Sequence, residues 1–294
     1  MPLPHDLLEH LAREIAQRSG TAAAIVSHAP IGGGSINDCY RLETDAGRLF
    51  VKVNAADHFP SLFEAEADGL RRLREAGPLR VPSVMAYGEA DGHGYLLMEW
   101  IEYGIKGPGF WEDLGRGLAK LHRHTQERFG LDRDNCIGSL VQRNSPEHEW
   151  PTFFIRHRLE AQLRMARDKH RVADGMAFRF ERLFARLDQI FPKEPPALLH
   201  GDLWSGNFLC DANSRPVLID PAVYYGHREM DLAMTRLFGG FEDPFYAAYH
   251  AEWPLAEGWK ERVDLCNLYP LMVHVNLFGG GYTTQVEAIL KRFA

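Results

Sequence analysis

The feature that most limits how this chain can fold is a change in hydrophobic period near residue 100. Before it, short apolar runs alternate with turn residues. Ile25–Val26, Ile36–Leu42 and Leu49–Val53 read as strands, with turns supplied by Gly32–Gly34 and Asp45–Gly47. "VPSVMAYGEADGHGYLLMEWIE" reads as two more strands around an Asp-Gly turn. Two stretches in this part have helical spacing. One is "LPHDLLEHLAREIAQRS", ending near Gly20; the other is "FPSLFEAEADGLRRLREAG", with Ser61 as N-cap candidate and Gly77 as stop. Beyond a junction at Glu99–Gly104 the pattern becomes helical over 109–125, 149–170, 174–190, 228–237, 243–251, 258–278 and 282–292. Only 197–220 interrupts it with short strands, and Pro270 is expected to kink or split its helix. The expectation is α+β: a sheet-rich lobe over 1–100 and a mostly helical lobe over 101–294. A ligand belongs between two such lobes.

Composition narrows the function classes. With 45% hydrophobic and 25% charged residues, a mainly disordered chain is excluded. A net charge of −7 argues against a general nucleic-acid binder. The N-terminus carries Asp6, Glu9, Arg13 and Glu14 in an amphipathic pattern and has no signal-peptide core. "LYPLMVHVNLFGGGY" is too short to span a bilayer and holds His274, so no membrane partner is expected. Cys39, Cys136, Cys210 and Cys266 are scattered without a CxxC pair. Free thiols in a cytoplasmic protein are the natural reading.

The chemistry concentrates in "LLHGDLWSGNFLCDANSRPVLIDPAVYYG". Asp202 and Asn207 have the interval found between the catalytic aspartate and the magnesium-binding asparagine of protein kinases. Asp220 follows the strand-like "RPVLI". Such oxygen donors suit Mg2+, and a carboxylate near an acceptor hydroxyl takes its proton. Each residue alone reads equally as a turn or cap. Their order after a glycine loop, a lysine and a helix glutamate is what points to phosphoryl transfer.

The glycine loop is "IGGGSIN", where Gly32, Gly33, Gly34 and Ser35 would let backbone N–H groups approach a phosphate. A plain hairpin turn is the alternative. Lys52 lies in "LFVKVN", either as an exposed edge-strand lysine or as a phosphate ligand held by a helix carboxylate. Glu66 keeps the helical rhythm of Leu70 and Leu73; Glu64 is the fallback. Trp204 is either a packing plug or a wall for a sugar face. His200 is expected to brace the loop. His122 and His124 read as one packed and one solvated histidine. Asp231, after Arg228, reads as a loop anchor or an internal ion pair.

"HGDLWSGN", "IDPAVYYGHREMDLAMTRLFGGF" and "NLFGGGY" resemble the fructosamine kinase (ketosamine 3-kinase) family, which is similar in turn to aminoglycoside phosphotransferases and choline kinases. "GGGSIN", "FVKV", "FEAEADGL", "LLMEWI", "LGRGLAKLH" and "WPTFFIRHRLEAQL" follow in the order the resemblance implies. It implies a two-lobed protein-kinase-like fold and ATP-dependent phosphorylation of the 3-hydroxyl of a ketoamine, free or protein-bound, leading to deglycation. It also implies that Lys52 holds ATP phosphates with Glu66 orienting it, that Asp202 is the base, and that Asn207 and Asp220 hold Mg2+. The run containing Met98, Glu99 and Ile101 becomes a hinge, with the Glu99 and Ile101 backbones meeting adenine. Ser35 stands where many eukaryotic relatives have cysteine, so thiol control there is not expected. Trp204 with "VYYGHRE" and "NLFGGGY" offers aromatics and no acidic cluster, which favours a single sugar over a polycation. An aminoglycoside- or choline-type phosphotransferase is the alternative enzyme, and an idle kinase-like binding module the alternative of another class. A monomer is expected.

Overall fold

The structure is a computed structural model describing residues 2–20, 24–32, 37–55 and 61–293, apart from the side chain of Asp174. Gly33, Gly34, Ser35 and Ile36 lie outside the described residues. Helix α1 (His5–Ser19) precedes a five-stranded antiparallel sheet built from β1 (Ile25–Ile31), β2 (Asp38–Thr44), β3 (Gly47–Ala55), β4 (Val84–Ala90) and β5 (His93–Glu99). Helix α2 (Leu62–Ala76) lies between β3 and β4 in sequence. The strand order β1-β2-β3-β5-β4 makes β3 the middle strand.

Side-chain alternation divides the sheet into two faces. Val51 and Val53 of β3 and Tyr95 and Leu97 of β5 join Leu7, Leu11 and Ile15 of α1 in one core. Leu96 and Met98 turn the other way, into a core with Phe63, Ala67, Leu70 and Leu73 of α2. That second core continues into the helical region through Leu203, Phe208 and Leu218, so one apolar body joins the two parts.

The remainder is mostly helical: α3 (Phe110–His122), α4 (Trp150–Phe153), α5 (Glu160–Asp168), α6 (Asp174–Phe184), α7 (Leu187–Ile190), α8 (Glu229–Leu237), α9 (Asp243–Glu252), α10 (Trp259–Phe278) and α11 (Tyr282–Phe293). The expected helix over 149–170 is continuous but contains a π-helical stretch, Phe154–Leu159. The one expected over 174–190 breaks into α6 and α7. Two further expectations need correction. The short strands are not confined to 197–220. Besides β8 (Ala197–Leu199), β9 (Phe208–Cys210) and β10 (Pro216–Leu218), there are β6 (Asn135–Ile137), β7 (Leu140–Gln142) and β11 (Tyr224–Gly226). Three-residue strands are too short to show a period of two. Pro270 does not split its helix: α10 runs through it. Burial of Leu268, Tyr269, Leu271 and Met272 on either side holds the helix together where one backbone bond is missing.

Candidate active site

The place of Lys52 follows from strand alternation. It sits in the middle strand, on the face opposite Val51 and Val53, beside Cys39 of β2 and Leu96 of β5. The edge-strand alternative is thereby excluded. Its ammonium is 4% exposed as a residue and lies 2.7 Å from both Glu66 Oε1 and Asp220 Oδ1. Glu66 reaches it because α2 packs Phe63, Ala67 and Leu70 against the sheet, leaving Glu66 on the rim of that stripe. Glu64 instead meets Arg133 at 3.2 Å. Burial opposes the lysine's charge, but Glu66 and Asp220 outweigh it and hold its pKa well above the ordinary lysine value.

Residues 200–207 form a loop held from below. Asp231, in the first turn of α8, accepts from the His200 N–H at 2.7 Å and the Gly201 N–H at 2.9 Å. His122, packed and fully buried, lies 3.1 Å from the same carboxylate and 2.8 Å from the Tyr249 hydroxyl. Burial opposes its charge, yet these hydrogen bonds keep the Asp231 pKa below its ordinary value. Asp231 is therefore the loop anchor. The ion pair with Arg228 does not form, because Arg228 grips Glu194 at 2.7 and 2.8 Å. The ring of His200 braces the loop through the Ile219 carbonyl at 2.9 Å. Gly201 has φ +83°, and a Cβ there would stand 2.0 Å from the Ala222 oxygen, so only glycine fits.

Asn207 Nδ2 donates to the Asp202 carbonyl and to Asp202 Oδ2, both at 2.9 Å. These acceptors fix the amide orientation and leave Asn207 Oδ1 as its acceptor. Burial, and then the like charge of Asp220, push the Asp202 carboxyl up to about 7. Asp220 has φ +54° immediately before Pro221, a conformation that persists only where surroundings enforce it. Its side chain is 43% exposed, lining the same cleft as Lys52, Asp202 and Asn207. Asn207 Oδ1 and the Asp220 carboxylate are few, hard oxygen donors. Among the described residues no cluster of three or more His, Cys, Asp or Glu competes with them. A sparse oxygen-only set fits Mg2+, which keeps several waters.

At the sheet's end, Phe50, Met98 and Ile101 face Leu70, Leu209 and Ile219 across an apolar slot. The Glu99 N–H is committed to the Ser83 carbonyl at 2.9 Å, and the Glu99 side chain pairs with Arg80. Among the described residues, the Ile101 N–H has no hydrogen-bond partner. Gly32 stands exposed just past β1.

On the other side of Asp202 opens a cavity of about 310 Å3, walled by Trp204, Tyr224, Phe238, Tyr269 and His274. Among the described residues, no Lys or Arg lines it. Trp204 meets Phe238 edge-on at 5.8 Å and lies over Gly206, where a Cβ would come 2.4 Å from the indole. Trp204 lines this cavity and remains 36% exposed. Sequence reasoning missed Asn135, which lines the cleft from the β6–β7 hairpin. The signal was "NCIGSLVQ", two short runs around Gly138-Ser139.

The fructosamine kinase family profile matches residues 7–294. A protein of Enterococcus faecium named a probable ketoamine kinase is 44% identical over 90% of this chain and 94% of its own. The chloroplastic protein-ribulosamine 3-kinase of Arabidopsis thaliana is 39% identical over 96% of this chain and 86% of its own. A solved structure from Thermobifida fusca, provisionally assigned as a fructosamine-3-kinase, superposes with a TM-score of 0.86 at 37% identity, covering 96% of this chain and 97% of that one. An aminoglycoside phosphotransferase, APH(4)-Ia, shares the fold alone, with a TM-score of 0.63 at 14% identity over 96% of this chain and 98% of its own. With the family profile spanning nearly its whole length, the chain belongs to the fructosamine kinase family.

Proposed function

We propose that the protein is an ATP-dependent ketoamine kinase that phosphorylates the 3-hydroxyl of fructose- or ribulose-amine adducts, free or protein-bound. The observation that carries this reading is the position of Asp202. It stands between the Lys52–Glu66–Asp220 cluster and an aromatic cavity sized for one sugar.

Residues 1–100 form the nucleotide lobe and 101–294 the catalytic and acceptor lobe. The slot between Met98, Ile101 and Ile219 takes adenine, with the Ile101 N–H as donor. Lys52, oriented by Glu66, meets the phosphates, and Gly32, Gly33, Gly34 and Ser35 cover them. Asn207 and Asp220 hold Mg2+, which when bound neutralises phosphate charge. Asp202 orients the acceptor hydroxyl and takes its proton, a role its place between the cluster and the cavity supports. Trp204 offers its face to the apolar side of the sugar. The phosphorylated adduct then releases its amine, which makes the activity a deglycation. In this reading the protein is a cytoplasmic monomer, and its four free cysteines suit a reducing compartment.

The test is ATP consumption with a panel of fructose- and ribulose-amines, with aminoglycosides and choline as controls. Turnover of ketoamines alone is expected. Efficient phosphorylation of a kanamycin-like substrate with none of the ketoamines would overturn the reading.

A further inference from the structure

The backbone that follows Asp220 is gripped by side chains that the phosphoryl-transfer reading does not use. Gln142 Nε2 donates to the Ala222 carbonyl at 3.0 Å, and Asn135 Nδ2 donates to the Val223 carbonyl at 2.8 Å. Asn135 Oδ1 accepts from Gln142 at 2.8 Å and from Asn144 at 2.9 Å. Asn144 Oδ1 accepts from Arg158 at 2.8 Å. The other end of Gln142, Oε1, accepts from the Tyr269 hydroxyl at 2.7 Å. All five side chains are buried, and Arg158 is fully so.

Such a network is expensive as a mere core. Three amides and a guanidinium lose their hydration, and Arg158 has no carboxylate partner among the described residues. It stacks instead on Tyr224, 4.0 Å from the ring centre, and on Phe153 at 4.7 Å. Apolar side chains would fill the same volume at less cost. What they could not do is hold two named carbonyls in register. Asp220 at φ +54° needs that constraint on the chain that follows it. Tyr269 and Tyr224 also wall the cavity beside Asp202, so one network touches both the acceptor wall and the Asp220 segment.

We infer that Gln142 and Tyr269 are positioning residues: directly at the Ala222 carbonyl, and through Asn135 at the Val223 carbonyl, they set the place of Asp220 relative to the acceptor cavity. The π-helical stretch Phe154–Leu159 presents Arg158 to Asn144 and thereby locks the β6–β7 hairpin that carries Gln142. The naming of the cavity rests on the ketoamine reading; the brace itself does not.

The decisive variant is Tyr269→Phe, which keeps the ring as cavity wall and deletes one hydroxyl. In the metal-free full-length protein, amide hydrogen exchange at Ala222 and Val223 is expected to quicken about tenfold, while the α10 amides keep their protection. By calorimetry, the gain in ATP affinity on adding Mg2+ is expected to shrink about tenfold. Gln142→Leu should reproduce the loss, and the double variant should be no worse than Gln142→Leu alone, since the two act in series. Unchanged exchange at 222–223 in both single variants would overturn the inference. So would faster exchange throughout α10, which would mean general loosening. If exchange quickens as expected but even the wild type ignores ketoamines, the brace stands and the substrate reading falls.

Discussion

Lys52 Nζ lies 2.7 Å from Asp220 Oδ1 although 168 positions separate them in the chain. The same ammonium lies 2.7 Å from Glu66 Oε1. One buried cation thus joins the sheet, helix α2 and the segment after β10.

The pairing of Lys52 with Glu66 has a measurable consequence. Lys52→Met should nearly abolish phosphoryl transfer and destabilise the protein by about 3–5 kcal/mol, because it leaves Glu66 buried without its cation. Lys52→Met with Glu66→Leu should be more stable than Lys52→Met alone. In activity the double variant should lose less than the two single losses combined, since they act as one unit. Glu64→Ala should change little, because Glu64 meets Arg133 and not Lys52. Chemical denaturation and steady-state kinetics on these variants check the set; additive losses would break the unit.

Asp202→Asn preserves shape and removes the proposed proton acceptor. Turnover should fall about 10²–10⁴-fold with ATP affinity nearly unchanged. Asp220→Ala should act differently, weakening Mg·ATP binding more than adenosine binding, because in the proposed reading its carboxylate would hold the metal and not the nucleoside. Parallel calorimetry on both variants separates the roles. An Asp202→Asn enzyme with near-normal turnover would remove that residue from the chemistry.

Trp204→Ala should raise the ketoamine KM about tenfold or more and leave the ATP KM within about twofold, since the indole walls the cavity and an aromatic contact is worth about 0.5–1.5 kcal/mol beyond area burial. Equal rises in both constants would show that Gly206 and the loop have moved with it.

A pH dependence follows from Asp211, which accepts from the Asn213 N–H at 2.9 Å and the Arg215 N–H at 3.0 Å and meets Arg80 at 2.5 Å. Burial opposes its charge, yet the Arg215 backbone and the Arg215 and Arg80 side chains hold its carboxyl at about 2. A depressed carboxyl stabilises the fold above its unfolded value near 4, and that contribution fades as pH falls through about 2. Its size is at most about 3 kcal/mol. Asp211→Asn should therefore lower Tm at pH 7, with the gap to wild type narrowing between pH 4 and pH 2. A gap independent of pH would assign the loss to geometry and not to charge.

Much of this arrangement was legible in the residues themselves. Alternation in "LFVKVN" makes a strand whatever surrounds it, and the 3.6 period of "FEAEADGLRRL" puts Glu66 near the apolar stripe of α2. The interval from Asp202 to Asn207 is a property of one short loop, so local chemistry suffices to recognise it. Other features were decided only when the chain closed on itself. Whether Lys52 lay on an edge depended on β5 entering beside β3, a non-local pairing with no trace in either strand. Asp231 became a loop anchor, and not the partner of Arg228, because Glu194 arrived from another part of the chain. The β6–β7 hairpin and the unbroken α10 follow the same logic. Three-residue strands and a helix crossing a proline have too little local free energy to announce themselves, and only tertiary burial supplies what holds them.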